Sequence, residues 1–320
     1  MSGTAFPGLG NYPKRVEVYE VGPRDGLQNE MRTLPTPDKV RLIEALAAAG
    51  LKRIEATSFV SPRWIPQLAD AEKVLAQLPK GPRFTALVPN LKGFERAKAA
   101  GLSEAAVFLS VTESHSKKNI NKSVAEAISA AREVASAARD AGMKVRCYLS
   151  TVWGCPYEGL TPVAKTVDVV SRLAEIGFEQ LSLGDTIGVG TPGQTAEIVA
   201  EVSKIVPLGQ IALHLHDTRG TALANALVGL SMGISTFDSS IGGLGGCPYA
   251  PGAAGNLATE DLVFMLHGMG IETGIEFDKL VGAGELAQEL IGRKLSGKCL
   301  QAALGEREKQ AARARTAASS

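Results

Sequence analysis

AGMKVRCYLS, residues 141–150, shows most plainly the unit from which this chain is built. An amphipathic helical run ends at Gly142, and a short stretch rich in β-formers follows. The same order recurs where Gly50 precedes RIEAT, Gly101 precedes AAVFLS, Gly177 precedes QLSLGD and Gly233 precedes ISTFDSS. Glycine suits the left-handed position that closes a helix. Three helices are predicted to open alike, at Thr36-Pro37, Thr161-Pro162 and Thr191-Pro192. Threonine there would cap free N–H groups, and proline fits the first helical position. The runs VEVYE at 16–20, RFTALV at 83–88 and IALHLH at 211–216 bring the strands to eight. Strands alternating with helices imply a parallel sheet. Eight repeats favour a closed (β/α)8 barrel of the TIM type, an α/β fold, over an open doubly wound sheet. No GxGxxG follows the first strand, which weakens a dinucleotide fold further.

The 320 residues fit one domain: the barrel over 14–270, a C-terminal helical extension over 271–305, and a tail at 306–320 expected to be disordered. Hydrophobic residues make up 45% of the chain, enough for a large core. With 34 basic and 33 acidic residues the net charge is +1, so electrostatics gives no reason to expect nucleic acid or an anionic membrane as partner. The cysteines at 147, 155, 247 and 299 form no CxxC pair, which argues for free thiols in a reducing, cytoplasmic setting. The N-terminal run carries no apolar core of signal-peptide length. The longest uncharged stretch, Ser239 to Thr259, holds six glycines and two prolines and must be a loop rather than a membrane helix.

Active sites of such barrels form at the C-terminal ends of the strands. Those ends are polar here. Strand one leads through Glu20 into GPRDG with Arg24 and Asp25. Strand two ends at Glu55, Thr57 and Ser58, strand five carries Arg146 and Tyr148, and strand six ends at Ser182 and Asp185. Strand seven carries His214 and His216 within an otherwise apolar run. Alternate strand residues share a face, so both imidazoles point into the barrel mouth while Leu213 and Leu215 face the helices. Two imidazoles, the Asp25 carboxylate and an amide oxygen suit a six-coordinate divalent ion, magnesium or manganese. Arg24 is either a surface ion pair or a fixed cation for a developing oxyanion, and its place after strand one favours the second. Glu55 could hold Arg24. Asp185 could be an N-cap or a proton acceptor. Cys247 is the one reactive side chain of GGLGGCPYAPGAAGN at 242–256, whose glycines let the backbone approach a ligand. A second GCPY stands at 154–157.

GPRDGLQNE at 22–30, EATSFVSP at 55–62, LGDTIGVGTP at 183–192, HLHDTRG at 214–220 and the glycine loop together resemble the hydroxymethylglutaryl-CoA lyases, in order, over roughly residues 14 to 300. The related condensing synthases share the Arg-Asp and HxH elements, but typically carry a Gly-Glu-Arg turn after strand eight and a regulatory domain, and this chain has neither. The resemblance implies cleavage of 3-hydroxy-3-methylglutaryl-CoA to acetyl-CoA and acetoacetate, a step of leucine breakdown and ketone-body formation. It implies Asp25, His214, His216 and Asn256 as metal ligands. Arg24 would steady the thioester oxygen, Glu55 would orient Arg24, Cys247 would carry a proton, and Asp185 and His214 would assist proton transfer. Ser58, Arg146, Tyr148 and Ser182 match polar positions around the substrate. Arg293 and Lys294 match a coenzyme A contact region, where Gly292 stands in place of the asparagine of many members. An acyl-CoA thioester is the expected partner, and a homo-oligomer, dimer or larger, the expected assembly. A related 3-hydroxyacyl-CoA (a branched 3-hydroxyglutaryl-CoA or citramalyl-CoA), a condensing acyltransferase reaction, and a silent metal-binding scaffold are the competing readings.

Overall fold

The computed structural model describes residues 12–245 and 255–318. Eight parallel strands close into a barrel: β1 (Glu17–Glu20), β2 (Arg53–Ser58), β3 (Arg83–Leu87), β4 (Glu104–Ser110), β5 (Lys144–Ser150), β6 (Gln180–Asp185), β7 (Ile211–Leu215) and β8 (Thr236–Ser239). Each strand pairs with its sequence neighbours, and the seam is β1 on β8, with Glu17 opposite Thr236 and Glu20 opposite Ser239. The helices α1 (Thr36–Ala48), α2 (Ala71–Leu75), α3 (Leu91–Ala99), α4 (Glu113–Ile120), α5 (Val124–Asp140), α6 (Val163–Ala174), α7 (Pro192–Val202), α8 (Ala222–Ser231), α9 (Thr259–Gly268), α10 (Phe277–Ile291) and α11 (Lys298–Ala318) complete the chain. The expected glycines do end helices: Gly50, Gly101, Gly142, Gly177 and Gly233 all have positive φ.

Alternation along the strands sorts the side chains into two cores. Outward residues such as Val107, Leu181, Leu213, Leu215 and Phe237 pack with the helices into the main apolar cluster. The inside of the barrel is largely polar. At the lower end Arg53 bonds Glu104, Glu17 and Gln180. Above it Tyr19 bonds Thr85, and the Arg53 and Arg146 guanidinium carbons lie 4.7 and 3.9 Å from its ring centre.

Two expectations are corrected. Of the three Thr-Pro threonines only Thr191 sits at a helix N-cap, with Gln194 completing a capping box. Thr36 is already helical and donates to Asp70, while Thr161 precedes α6 by two residues and donates to the Thr151 carbonyl. Their hydroxyls found partners across the fold rather than along their own helices. The stretch expected to be disordered from 306 onward is helical through Ala318 as the continuation of α11. Its alanines and alternating charges are strong helix formers, and the helix is seeded where Leu300 is buried in the core.

Above the barrel, two buried carboxylates brace the loops. Glu20 accepts hydrogen bonds from Gly22 N, Ile241 N and the Thr259 hydroxyl, tying the turn after β1 to the loop after β8. Glu260 accepts from Gly242 N, and its Oε1 has no partner among the described residues. Burial pushes the Glu260 carboxyl up to about 8, with Glu20 and Asp261 adding to the rise. A carboxyl whose folded pKa is raised binds protons more tightly in the folded state, so its contribution to stability is complete at low pH and is lost as pH rises through the folded value. Melting temperature should therefore fall between about pH 4.5 and pH 8, and Glu260→Gln should flatten part of that fall. An unchanged slope in the variant would show that Glu260 is not the group responsible.

Candidate active site

After β1 the chain makes a single wide turn, Gly22–Gly26, in which the N–H groups of Arg24, Asp25 and Gly26 all point at the Val21 carbonyl, 3.1, 2.7 and 3.2 Å away. A side chain at Gly26 would stand 2.8 Å from Leu244 Cβ and Ser240 Oγ, so glycine lets the turn press against the loop after β8. The turn aims Arg24 and Asp25 across the barrel mouth. Arg24 Nε donates to Glu55 Oε2 at 2.5 Å, and Arg24 Nη1 donates to Asp25 Oδ1 at 2.7 Å. The Tyr148 hydroxyl donates to the same Glu55 oxygen at 3.1 Å. Burial works against the Arg24 charge, but Glu55 and Asp25 more than offset it and hold the guanidinium protonated.

Across the mouth, His214 and His216 point the same way, with ring centres 5.3 Å apart. Asp25, His214 and His216 each offer one ligand atom, all within 4.8 Å of one another. His216 Nδ1 is buried without a hydrogen-bond partner among the described residues, as expected of a donor atom left for an ion. Burial first, then the neighbouring His214, push the His216 imidazole down to about 4, so it is neutral and free to ligate. Burial raises Asp25, yet Arg24, His214 and His216 together pull its carboxyl well below the usual range. Asn256 Nδ2 donates to Asp25 Oδ2 at 2.9 Å and to the Leu244 carbonyl at 3.0 Å, placing the amide beside the carboxylate. These residues fit a divalent cation in their chemistry and in their convergence.

Arg24, Asp25, Tyr148, Ser182, His214 and His216 line one cavity of roughly 980 Å³ that opens at this end of the barrel. Other expected residues stand back from it. Glu55 is fully buried behind Arg24. The Ser58 hydroxyl is turned to the backbone, donating to the Leu87 carbonyl at 3.3 Å and accepting from Val60 N at 3.1 Å. Arg146 lies beneath the floor, between the rings of Tyr19 and Tyr148 and bonded to Asp238. Asp185 sits in register with Leu215 and accepts from Val189 N and Gly190 N. Sequence reading allows an N-cap or a proton acceptor there; the N-cap of α7 is Thr191, and Asp185 instead holds the loop before that helix, on the face of β6 that strand alternation turns from the mouth. Arg293 pairs with Glu30 on the cavity rim, and Lys294 is exposed beside it. Gly292 closes α10 with φ 80°, a conformation that glycine and asparagine tolerate best. Cys247 lies outside the described residues.

Sequence reading missed Asp238, which bonds Arg146, Ser182 and His214 at once. The signal was present: in TFDS the aspartate alternates with Phe237 and so must face inward. It also missed His115, whose Nδ1 lies 2.7 Å from the Ser110 hydroxyl on the cavity wall.

The HMGL-like family profile matches residues 15–287. The mitochondrial hydroxymethylglutaryl-CoA lyase of Gallus gallus is 52% identical over 294 residues, covering 91% of this chain and 99% of that protein. A crystal structure of hydroxymethylglutaryl-CoA lyase from Pseudomonas aeruginosa superposes with a TM-score of 0.90 at 45% identity, covering 92% of this chain and 99% of that one. An HMG-CoA lyase from Acinetobacter baumannii, in complex with coenzyme A and 3-methylmalate, superposes with a TM-score of 0.86 at 37% identity, over 90% and 95% of the two chains. Matches of this extent, on a barrel whose mouth gathers Arg24, Asp25, His214 and His216, show that this chain belongs to the hydroxymethylglutaryl-CoA lyase family.

Proposed function

We infer that this chain cleaves 3-hydroxy-3-methylglutaryl-CoA to acetyl-CoA and acetoacetate. The observation that carries the reading is a guanidinium clamped by two carboxylates beside a convergent Asp-His-His set. In the reaction the tertiary hydroxyl loses its proton, its oxygen becomes the ketone of acetoacetate, and the C–C bond breaks. The bonding electrons pass to the thioester enolate, which then takes up a proton to become the methyl of acetyl-CoA. Asp25, His214 and His216, with Asn256 beside them, would hold a divalent ion, magnesium or manganese, which when bound would supply the positive centre that makes the hydroxyl more acidic. Arg24, immobilised by Glu55 and Asp25, faces the oxygen on which enolate charge collects. Asp25 is held as a weakly basic carboxylate, which suits a ligand rather than the proton acceptor. Tyr148 and Ser182 stand on the cavity wall with their hydroxyls donated to Glu55 and Asp238, so they shape the pocket and hold those carboxylates in place. Arg293 and Lys294 stand at the rim for the coenzyme phosphates, the partner seen in the Acinetobacter relative. That relative's 3-methylmalate favours a second reading, a shorter hydroxydiacyl thioester on the same machinery.

Purified protein should turn over 3-hydroxy-3-methylglutaryl-CoA faster than citramalyl-CoA or branched 3-hydroxyglutaryl-CoA. Preference for citramalyl-CoA would move the assignment to the second reading, and preference for the branched 3-hydroxyglutaryl-CoA would move it to a larger acyl group. Acetyl-CoA consumption with a 2-oxo acid would move it to a condensing enzyme.

The ion can be tested separately. His216→Ala should fold normally, because a mouth ligand is not core, and should bind Mn²⁺ more weakly by over about tenfold, at least the loss typical when a supporting partner is removed. EDTA should lower wild-type activity, and Mn²⁺ or Mg²⁺ should restore it. Unchanged Mn²⁺ affinity in the variant, read by EPR, would take His216 out of the ligand set.

A further inference from the structure

We propose that Asp238 is a positioning residue that fixes His214 as the Nδ1–H tautomer and so turns its Nε2 lone pair toward the ion; this rests on the metal-site reading above. Asp238 is 1% exposed and stands opposite His214 in the β7–β8 register, so strand geometry holds both side chains on one inner face. Its Oδ1 accepts from Arg146 Nη2. Its Oδ2 accepts the Ser182 hydroxyl at 2.8 Å and lies 3.1 Å from His214 Nδ1. A carboxylate already paired with a guanidinium has no proton to give, so the His214 contact requires Nδ1 to be the donor.

The remaining nitrogen then has consequences. With the proton on Nδ1, Nε2 carries a lone pair, and Asp25 Oδ2 is 3.8 Å from it. Two acceptors facing one another across that gap repel unless positive charge, an ion or a proton on Nε2, stands between them. Arg146 supports the arrangement from below: its guanidinium is fully buried against two tyrosine rings and bonds the far oxygen of Asp238. The buried cation thus orients the ligand histidine through Asp238 while lying outside the cavity lining. This is the arrangement in which a carboxylate behind a ligand histidine sets both ring orientation and basicity.

The test uses the full chain labelled with ¹⁵N-histidine. In the neutral-imidazole form of the metal-free wild type, His214 should show a protonated Nδ1 and a bare Nε2; the Nε2–H tautomer overturns the proposal. Asp238→Asn should weaken Mn²⁺ binding by about 10–100-fold, the usual worth of such a partner, and should populate the other tautomer. Because Asp238→Asn leaves Arg146 unpaired and could prevent folding, the double variant Asp238→Asn/Arg146→Met, which removes both charges, is measured beside it with the same expectation. A folded variant whose Mn²⁺ affinity stays within about twofold of wild type, on that same scale, overturns the role of Asp238 alone. Absence of Mn²⁺ binding by the wild type overturns this proposal together with the metal-site reading. If neither variant folds, the wild-type tautomer decides the matter.

Discussion

Cys247→Ala should fold, bind Mn²⁺ and lose about 10² to 10⁴ in turnover, the usual worth of a positioned acid–base group. The enolate needs a proton at carbon, and a thiol of ordinary pKa, about 8.5, can hold one near neutral pH. The other three cysteines are accounted for by packing. Cys147 lies on the outer face of β5 in the main apolar core, where burial pushes its thiol far up. Cys155 is 1% exposed within a two-residue hairpin, and Tyr157 N approaches its sulfur at 3.4 Å. Burial, then the neighbouring Asp261 carboxylate, push Cys299 up to about 12. Cys155→Ala therefore makes the control, expected to stay active with some loss of stability. Substrate should also shield Cys247 from thiol reagents. Near-normal turnover of Cys247→Ala beside a dead Cys155→Ala would place the proton chemistry in the other GCPY segment.

Arg24→Lys should lose about 10² to 10³ in turnover, the scale of a lost oxyanion contact and roughly 3–4 kcal/mol of transition-state stabilisation. Lysine keeps the charge but has no planar fork. One ammonium cannot reproduce both the Nε bond to Glu55 and the Nη1 bond to Asp25. Glu55 is completely buried and one of its oxygens already has no partner among the described residues, so the weakened contact also leaves that carboxylate poorly compensated. The effect belongs in kcat, because charge on the thioester oxygen grows only as the bond breaks. A variant with unchanged kcat and a raised KM would reduce Arg24 to a binding group.

The barrel was legible because its signals are local: a glycine after five of the helical runs, and strands too short and too β-rich to continue the helices. Alternation alone put both histidines of HLH in the mouth, and placement after strand one put Arg24 and Asp25 there. What alternation could not reveal was which polar residues reach the cavity and which serve other polar residues. Arg146 and Ser182 sit two residues from an inward neighbour in the same pattern, yet one lies under the floor and the other lines the wall. Asp238 escaped notice because a lone carboxylate in a four-residue strand acquires meaning only when β8 is laid against β7. The Thr-Pro signals failed at two of three helices because a threonine hydroxyl takes whatever acceptor the tertiary fold brings nearer.

The seam of the barrel has a consequence for how this chain matures. Glu17 meets Thr236 only after more than two hundred intervening residues have been made and wound into place. Such distant pairing is entropically the slowest part of folding. The proposed ligands straddle that join: Asp25 follows β1, His214 lies on β7 with His216 just past its end, and Asn256 follows β8. A bound ion is thus a clasp between the first-made and last-made walls. Ion at a hundredfold excess over its Kd would favour the closed form by about 2.7 kcal/mol. In a newly synthesised chain the full set of donors exists only once the final strand has docked, so the ion rewards completion of the barrel as well as equipping it for chemistry.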